Sequence, residues 1–245
     1  MRRVLYLEQV IRVKYSKDGP ITYISHLNLA QVFTRTLRRA DIPVVVSNGF
    51  NPRLRISFGP PLPLGISSIS EYLDIRIKGE IKVEEFVKRL NLSLPQGLRV
   101  LKAKIITPDS NSLVKLIDKA SYVLTLKMKK KQFDFTEKKP EDERTELRQK
   151  IEKYNKSFLN LEEIIIEKQI KNGSKRIDIK PSILDLKVQN FNYPILKLHL
   201  EIRIGQQGNL NPRYVAKAWI SEFSDNNDII RISRDGLYIR GKEVI

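Results

Sequence analysis

The chain has 245 residues, 41% of them hydrophobic, enough for one large domain or two of average size, which excludes a disordered tail or a mini-protein. Lys+Arg 45 against Asp+Glu 28 leaves a formal charge of +17, a balance that favours a polyanionic partner, nucleic acid first. With no cysteine and only two histidines, His26 and His199, the chain can supply no disulfide framework, cysteine zinc site or iron–sulfur cluster, so no metal and no cofactor is expected.

The first apolar run, Val4-Leu5-Tyr6-Leu7, is too short for a signal-peptide core, and no later stretch approaches a membrane span; a cytoplasmic protein without membrane partners is expected. Ile11, Val13 and Tyr15 then alternate with Arg12, Lys14 and Ser16, as in a half-buried strand, which Asp18-Gly19-Pro20 breaks. Ser25 reads as the N-cap of a helix over about 26–40, with an apolar stripe at Ala30, Phe33, Leu37 and Ala40. Val44-Val45-Val46 and Leu54, Ile56 and Phe58 read as extended segments around the loop Asn48-Gly49-Phe50-Asn51-Pro52. Leu73, Ile75 and Ile77 alternate as a strand, Val83, Phe86, Val87 and Leu90 have helical spacing, and Leu101, Ala103 and Ile105 alternate again. The order strand, helix, strand, strand, helix, strand is that of a ferredoxin-like lobe, whose open sheet face is a common place to lay RNA.

A polar connector surrounds Pro108 to Ser112, with a short amphipathic piece at Leu113, Leu116 and Ile117. The spacing then predicts a strand over 122–128 and a helix after Pro140 with acids in its first turn (Glu141, Asp142, Glu143) and a stripe of Leu147, Ile151, Tyr154 and Phe158. Strands follow over 162–170, 176–188 and 195–204; Asn211-Pro212 opens a helix carrying Val215, Ala218 and Trp219, and a last hairpin turns at Asp235-Gly236. The expected fold is therefore α+β: a ferredoxin-like lobe over 1–108, a connector over 109–120, and a second ferredoxin-like lobe over 121–245, both with antiparallel sheets.

The helix over 26–40 has a second stripe, Asn28, Gln31, Arg35 and Arg38, about 200° from the apolar one and so turned to solvent. On the following strand Arg53 and Arg55 share a face, roughly 7 Å apart, a spacing that suits consecutive phosphates. Every basic residue between Asp18 and Ile77 is arginine (Arg35, Arg38, Arg39, Arg53, Arg55, Arg76), although the chain has 26 lysines and 19 arginines. Arginine offers the planar fork that phosphates and base edges reward. Phe50, in the loop with Asn51, is the candidate for stacking on a splayed base, whereas Phe58 is better placed in the core. His26, in the first helical turn, is the one candidate general base, without a partner visible in the sequence. Gly205-Gln206-Gln207-Gly208 forms a GxxG loop, followed by Arg213 at the start of a helix, a second candidate phosphate site. Glu71 and Asp74 stand three residues apart, on opposite faces of regular β structure, and do not form a dyad.

One group of segments carries a resemblance: Ile24-Ser25-His26-Leu27-Asn28-Leu29, Phe33, Leu37-Arg38-Arg39-Ala40, Pro43, Ser47 to Pro52, Leu62-Pro63-Leu64-Gly65 with Glu71-Tyr72-Leu73-Asp74, and the later Leu237-Tyr238-Ile239. In these the sequence resembles a bacterial family of radical-SAM-linked proteins, most clearly to about residue 120. That family is a domain of unknown function, stand-alone or fused behind a radical-SAM domain and often encoded near a ribonuclease of the E/G type. The resemblance thus implies a radical-SAM enzyme or such a ribonuclease as partner. Where the family commonly has Asp after His-Leu, this chain has Asn28, which weakens a mechanism needing a carboxylate there. Without cysteines the chain cannot be the radical enzyme itself. A looser likeness, at the level of fold, is to the ferredoxin-like endoribonucleases that process CRISPR repeats, which would give His26 a role in cleavage.

These features lead to an RNA-binding accessory protein that presents structured RNA, ribosomal or transfer RNA, to a modifying or processing enzyme. The alternatives are an RNA-acting enzyme using His26 and a protein-interaction subunit of a radical-SAM enzyme.

Overall fold

The computed structural model describes residues 8–107, 112–128, 140–170, 173–205, 208–223 and 228–245. The fold is mixed α+β, with large, mostly antiparallel sheet structure and few helices. The chain divides into two compact units, Met1–Asp118 with Gly236–Ile245, and Lys119–Asp235. The last ten residues, expected with the second half, are thus counted with the first unit.

In the first unit β1 (Glu8–Lys17) is followed by a 3-10 turn (Gly19–Tyr23), α1 (His26–Arg39), β2 (Ile56–Phe58), β3 (Ser67–Lys78), α2 (Val83–Ser93), β4 (Leu98–Ile106) and the short α3 (Leu113–Leu116). The strands run in the order β4-β1-β3, with β2 beside β3, and the β1–β3, β1–β4 and β2–β3 pairs are antiparallel. One core fills the space under the helices: Ile11, Val13 and Tyr15 from β1, Leu29, Phe33 and Leu37 from α1, Leu73, Ile75 and Ile77 from β3, and Phe86 and Leu90 from α2. The helix α1 starts where the sequence predicts, with the Ser25 hydroxyl accepting from the Asn28 amide. Its buried stripe is Leu29, Phe33, Thr36 and Leu37, so Leu29 takes the place expected for the half-buried Ala30. The extended segments before β3 are slighter than expected: single bridges join Val44 to Ile77 and Val46 to Leu54, and β2 has three residues. Pro43 and Pro52 lack the N–H that a longer ladder would need. Gly97 is required by close approach, since a Cβ there would lie 2.4 Å from the Asp18 carbonyl oxygen, whose own amide donates to the Gly97 carbonyl at 2.8 Å.

The second unit contains β5 (Lys119–Lys127), α4 (Pro140–Leu159), β6 (Ile165–Ile170), β7 (Gly173–Asp178), β8 (Ile183–Asn192), β9 (Ile195–Arg203), α5 (Pro212–Phe223) and the first part of β10 (Asp228–Ile239). The strand order is β10-β5-β9-β8. Leu147, Ile151 and Phe158 on α4 are buried as their spacing predicts, as are Val215 and Trp219 on α5. The two helices are joined by polar contacts: the Tyr154 hydroxyl donates to the Trp219 carbonyl, and the Trp219 indole N–H to Asn155 Oδ1 at 3.1 Å. The acids at 141–143 have undescribed side chains.

In the main sheet of this unit β5, α4, β8, β9, α5 and β10 follow the expected order of strand, helix, two strands, helix and strand, with the β6–β7 ribbon inserted after α4. The strand expected over 176–188 is interrupted by a 3-10 turn at Lys180–Ser182, and β6 and β7 pair with each other in a separate two-stranded sheet. Pro181 explains the break, because it has no N–H to give a ladder. The final turn also lies elsewhere: β10 runs through Asp235-Gly236, and the chain reverses at Arg240-Gly241, both at positive φ (50° and 80°), into β11 (Lys242–Glu243). Two consecutive positive φ values are what a tight hairpin needs.

Candidate nucleic-acid interface

The outer face of α1 follows from the helix period. Leu29, Phe33 and Leu37 turn inward, which leaves Asn28, Gln31, Arg35 and Arg38 exposed. Arg39 is exposed too, but its guanidinium donates to the Ser93 carbonyl at 2.8 Å and to Thr36 Oγ1, so it ties α1 to the end of α2. Past α1, Leu54 and Ile56 pack against the core while Arg53 and Arg55 are exposed between and beside them. The loop before them is held by its backbone: the Arg53 amide donates to Ser47 Oγ at 3.0 Å and the Ser47 amide to the Arg53 carbonyl at 2.8 Å. Neither arginine lies in regular β structure, because β2 begins at Ile56. Phe50 is 107% exposed, fully in solvent, and Asn51 beside it is exposed as well.

Charge pairing separates two sets of arginines in this unit. Arg12 binds Asp74 through two bonds of 2.8 and 2.9 Å, Arg76 meets Glu8 at 3.4 Å, and Arg89 meets Glu85 and Asp41. Among the described residues Arg35, Arg38, Arg53 and Arg55 have no carboxylate partner. A cation without a partner is the one that has most to gain from a phosphate.

His26 is exposed at the start of α1, with its ring edge-to-face to Phe58 at 5.2 Å, and Phe58 in turn meets Phe33 at 5.8 Å. It lines a narrow cleft with Lys17, Glu71, Tyr15 and Tyr72, under the Gly59-Pro60-Pro61-Leu62 segment. The cleft's volume, about 10 Å³, is that of about one water. Lys17 is 2% exposed, and its ammonium donates to the Ile24 carbonyl at 3.3 Å. Burial holds that ammonium below the ordinary lysine range, against the opposing pull of Glu71. Sequence reasoning missed Lys17, although the alternation that buries Ile11, Val13 and Tyr15 runs on to it. Glu71 and Asp74 are indeed separate: Glu71 is buried at the cleft, and Asp74 holds Arg12.

In the second unit Gly205 and Gly208 are half-buried, with the Gly208 amide donating to the Gly205 carbonyl, while Gln206 and Gln207 lie outside the described residues. Asn211 Oδ1 accepts from the Arg213 amide at 3.1 Å and so caps α5; the Arg213 side chain is half-buried. His199 is half-buried, 3.6 Å from Asp235. Among the described residues no three His, Cys, Asp or Glu side chains gather as a metal site would need, and no helix is long and apolar enough to cross a membrane.

Residues 10–212 match the model of a family described as an uncharacterized protein conserved in bacteria, DUF2344. The chain belongs to this family. No curated protein matches. Among solved structures the chain is similar to a Cbf5-Nop10-Gar1 complex (TM-score 0.47, 10% identity, 92% of this chain and 47% of that one). It is also similar to an H/ACA RNP bound to a substrate RNA containing 2′-deoxyuridine (TM-score 0.43, 12% identity, 92% and 46%). The DUF2344 chain spans about half the length of these chains.

Proposed function

We propose that this DUF2344 protein binds RNA through the outer face of α1 and the 48–55 segment, and presents a structured RNA, ribosomal or transfer RNA, to a modifying or processing enzyme. The observation that carries this reading is the set of four exposed arginines, Arg35, Arg38, Arg53 and Arg55, without carboxylates among the described residues, in a chain of net charge +17. The fully exposed Phe50, in the loop that leads to Arg53, offers a ring for stacking. In this reading the first unit is a ferredoxin-like lobe working in the cytoplasm. Its protein partner is a radical-SAM enzyme or an E/G-type ribonuclease, because a chain with no cysteine needs another protein to do radical chemistry.

The deciding experiment replaces Arg53 and Arg55 with lysine, which keeps the charge at +17 and removes the fork geometry. RNA recovered by crosslinking to the parent protein in cells should bind the double variant about tenfold more weakly, roughly 1.4 kcal/mol, while random RNA binds both proteins alike. Equal affinity of the two proteins for the recovered RNA, with both folded by circular dichroism, would reject a specific arginine site.

A further inference from the structure

The second unit carries a pocket of about 290 Å³ where β6 and β7 meet the 208–211 loop and the start of α5. That is the small end of the range for ligand pockets, roughly 300–1,000 Å³, and suits one small planar group. Its walls are divided by chemistry. Ile166, Ile177 and Leu210 supply apolar surface and Tyr214 an aromatic ring. Asn209 and Asn211 supply amides; Asn211 spends its Oδ1 on the Arg213 amide, which leaves its NH2 as a donor.

The strand register adds a second observation. Ile166 stands opposite Ile177, and two residues on, Lys168 stands opposite Lys175 on the same face of the ribbon. Like charges in directly opposed positions destabilise a strand pair. Among the described residues neither lysine has a carboxylate partner. Glu167 is turned to the other face, opposite Arg176, where it accepts from the Ser174 hydroxyl. Asp178, also in the pocket wall, has its Oδ1 engaged by the amides of Ile164 and Lys180, at 2.9 Å each. An anion between the two lysines would relieve their repulsion. The neighbouring cavity of about 360 Å³, across Ile166 and Tyr214, is lined by Glu163 and Glu167 as well as Lys217, and so has no opposed pair of lysines.

We infer that this pocket holds one nucleotide of single-stranded RNA, with its base against Tyr214 and the isoleucines, its base edge on the two asparagines, and its phosphate on the Lys168–Lys175 pair. The occupant rests on the RNA reading above, but the chemistry requires only a nucleoside monophosphate, so mononucleotides probe the site without the arginine surface of the first unit. In saturation-transfer NMR with the full-length protein and each of the four ribonucleoside 5′-monophosphates, base protons of at least one should receive saturation, and the sugar protons of free ribose 5-phosphate should not. Tyr214→Ala should weaken that binding roughly tenfold, and Tyr214→Phe, which keeps the ring, should restore it. Should Tyr214→Ala fail to fold, the surface variant Lys168→Ala with Lys175→Ala should weaken monophosphate binding and leave the free nucleoside's binding unchanged. A tetranucleotide that binds more tightly than its mononucleotide identifies RNA as the source of the occupant; one that binds no more tightly identifies a free nucleotide and overturns the RNA occupant. Base protons silent with all four monophosphates, or binding indifferent to Tyr214→Ala, overturn the pocket while leaving the arginine surface untouched. Failure of RNA binding at the arginines with the pocket still active would reject the other reading alone.

Discussion

Two surfaces of the first unit carry basic residues in different ways. On the β1 and β3 strands Arg12 faces Asp74, Lys14 faces Glu243 and Arg76 faces Glu8. On the outer face of α1 and the segment before β2, Arg35, Arg38, Arg53 and Arg55 face no carboxylate among the described residues. The strand cations are consumed in joining β1 to its neighbours, across 62 residues of sequence for Arg12 and 229 for Lys14. The cations of the α1 surface join no strands in this way and are open to solvent. Net charge alone makes no such distinction; the pairing does.

The largest effect expected from this contrast follows from removing the unpaired set. Arg35→Ala, Arg38→Ala, Arg53→Ala and Arg55→Ala together should weaken RNA binding about 1,000-fold at low salt, roughly 1 kcal/mol for each lost charge-assisted contact. The slope of log affinity against log salt should fall by roughly 3 to 4 units. Urea unfolding should move by no more than about 0.5 kcal/mol, since exposed side chains without partners contribute little to stability. A large stability loss in this variant, with the salt slope unchanged, would break the comparison at its first term.

The paired set should give the reverse pattern. Arg12 and Asp74 have only 10% and 15% of their side chains exposed, so Asp74→Ala leaves a nearly buried guanidinium without its carboxylate. A cost of about 3 kcal/mol is expected in urea unfolding. RNA affinity should stay within about threefold, as filter binding at fixed salt would show. An unfolding midpoint equal to the parent's would mean that solvent reaches Arg12 freely and that the pair is no different from the surface.

Much of the first unit was legible because its signals are local. The Ser25 cap, the period of Leu29, Phe33 and Leu37, and the outward stripe of Arg35 and Arg38 all lie within one helix. The cleft at His26 was not, because Lys17 and Glu71 reach it from different strands and the wall is completed by Gly59 to Leu62. In the second unit Pro181 was a readable signal for the break between β7 and β8, and strand-like composition on both sides concealed it. The pairing of Lys168 with Lys175 is set by the register of a hairpin. Alternation along either strand alone does not reveal which residues stand opposite. The hairpin at Arg240-Gly241 shows the same limit, since Asp235-Gly236 has the better turn composition and yet lies inside a strand.

The smallest effect belongs to Lys14 and Glu243, and it depends on pH. Glu243 is hydrogen-bonded by the Lys14 ammonium and by the Tyr72 hydroxyl at 3.3 Å, with Lys102 near enough to act through its charge. The Lys14 hydrogen bond leads in holding the Glu243 carboxyl below its ordinary value of 4.5, outweighing burial. A carboxylate with a depressed folded-state pKa stabilises the fold above the unfolded-state value and loses that contribution as pH falls through the folded-state one. Glu243→Gln should therefore be less stable than the parent at pH 7, and the two unfolding curves should converge as pH drops below 4.5. With 46% of the Glu243 side chain exposed, solvent screening limits the difference to at most about 1 kcal/mol, and 1 M salt should reduce it further. A difference that persists unchanged at pH 3 would place the role of Glu243 in packing rather than charge, and would remove the Lys14 pair from the set of cations held by a carboxylate.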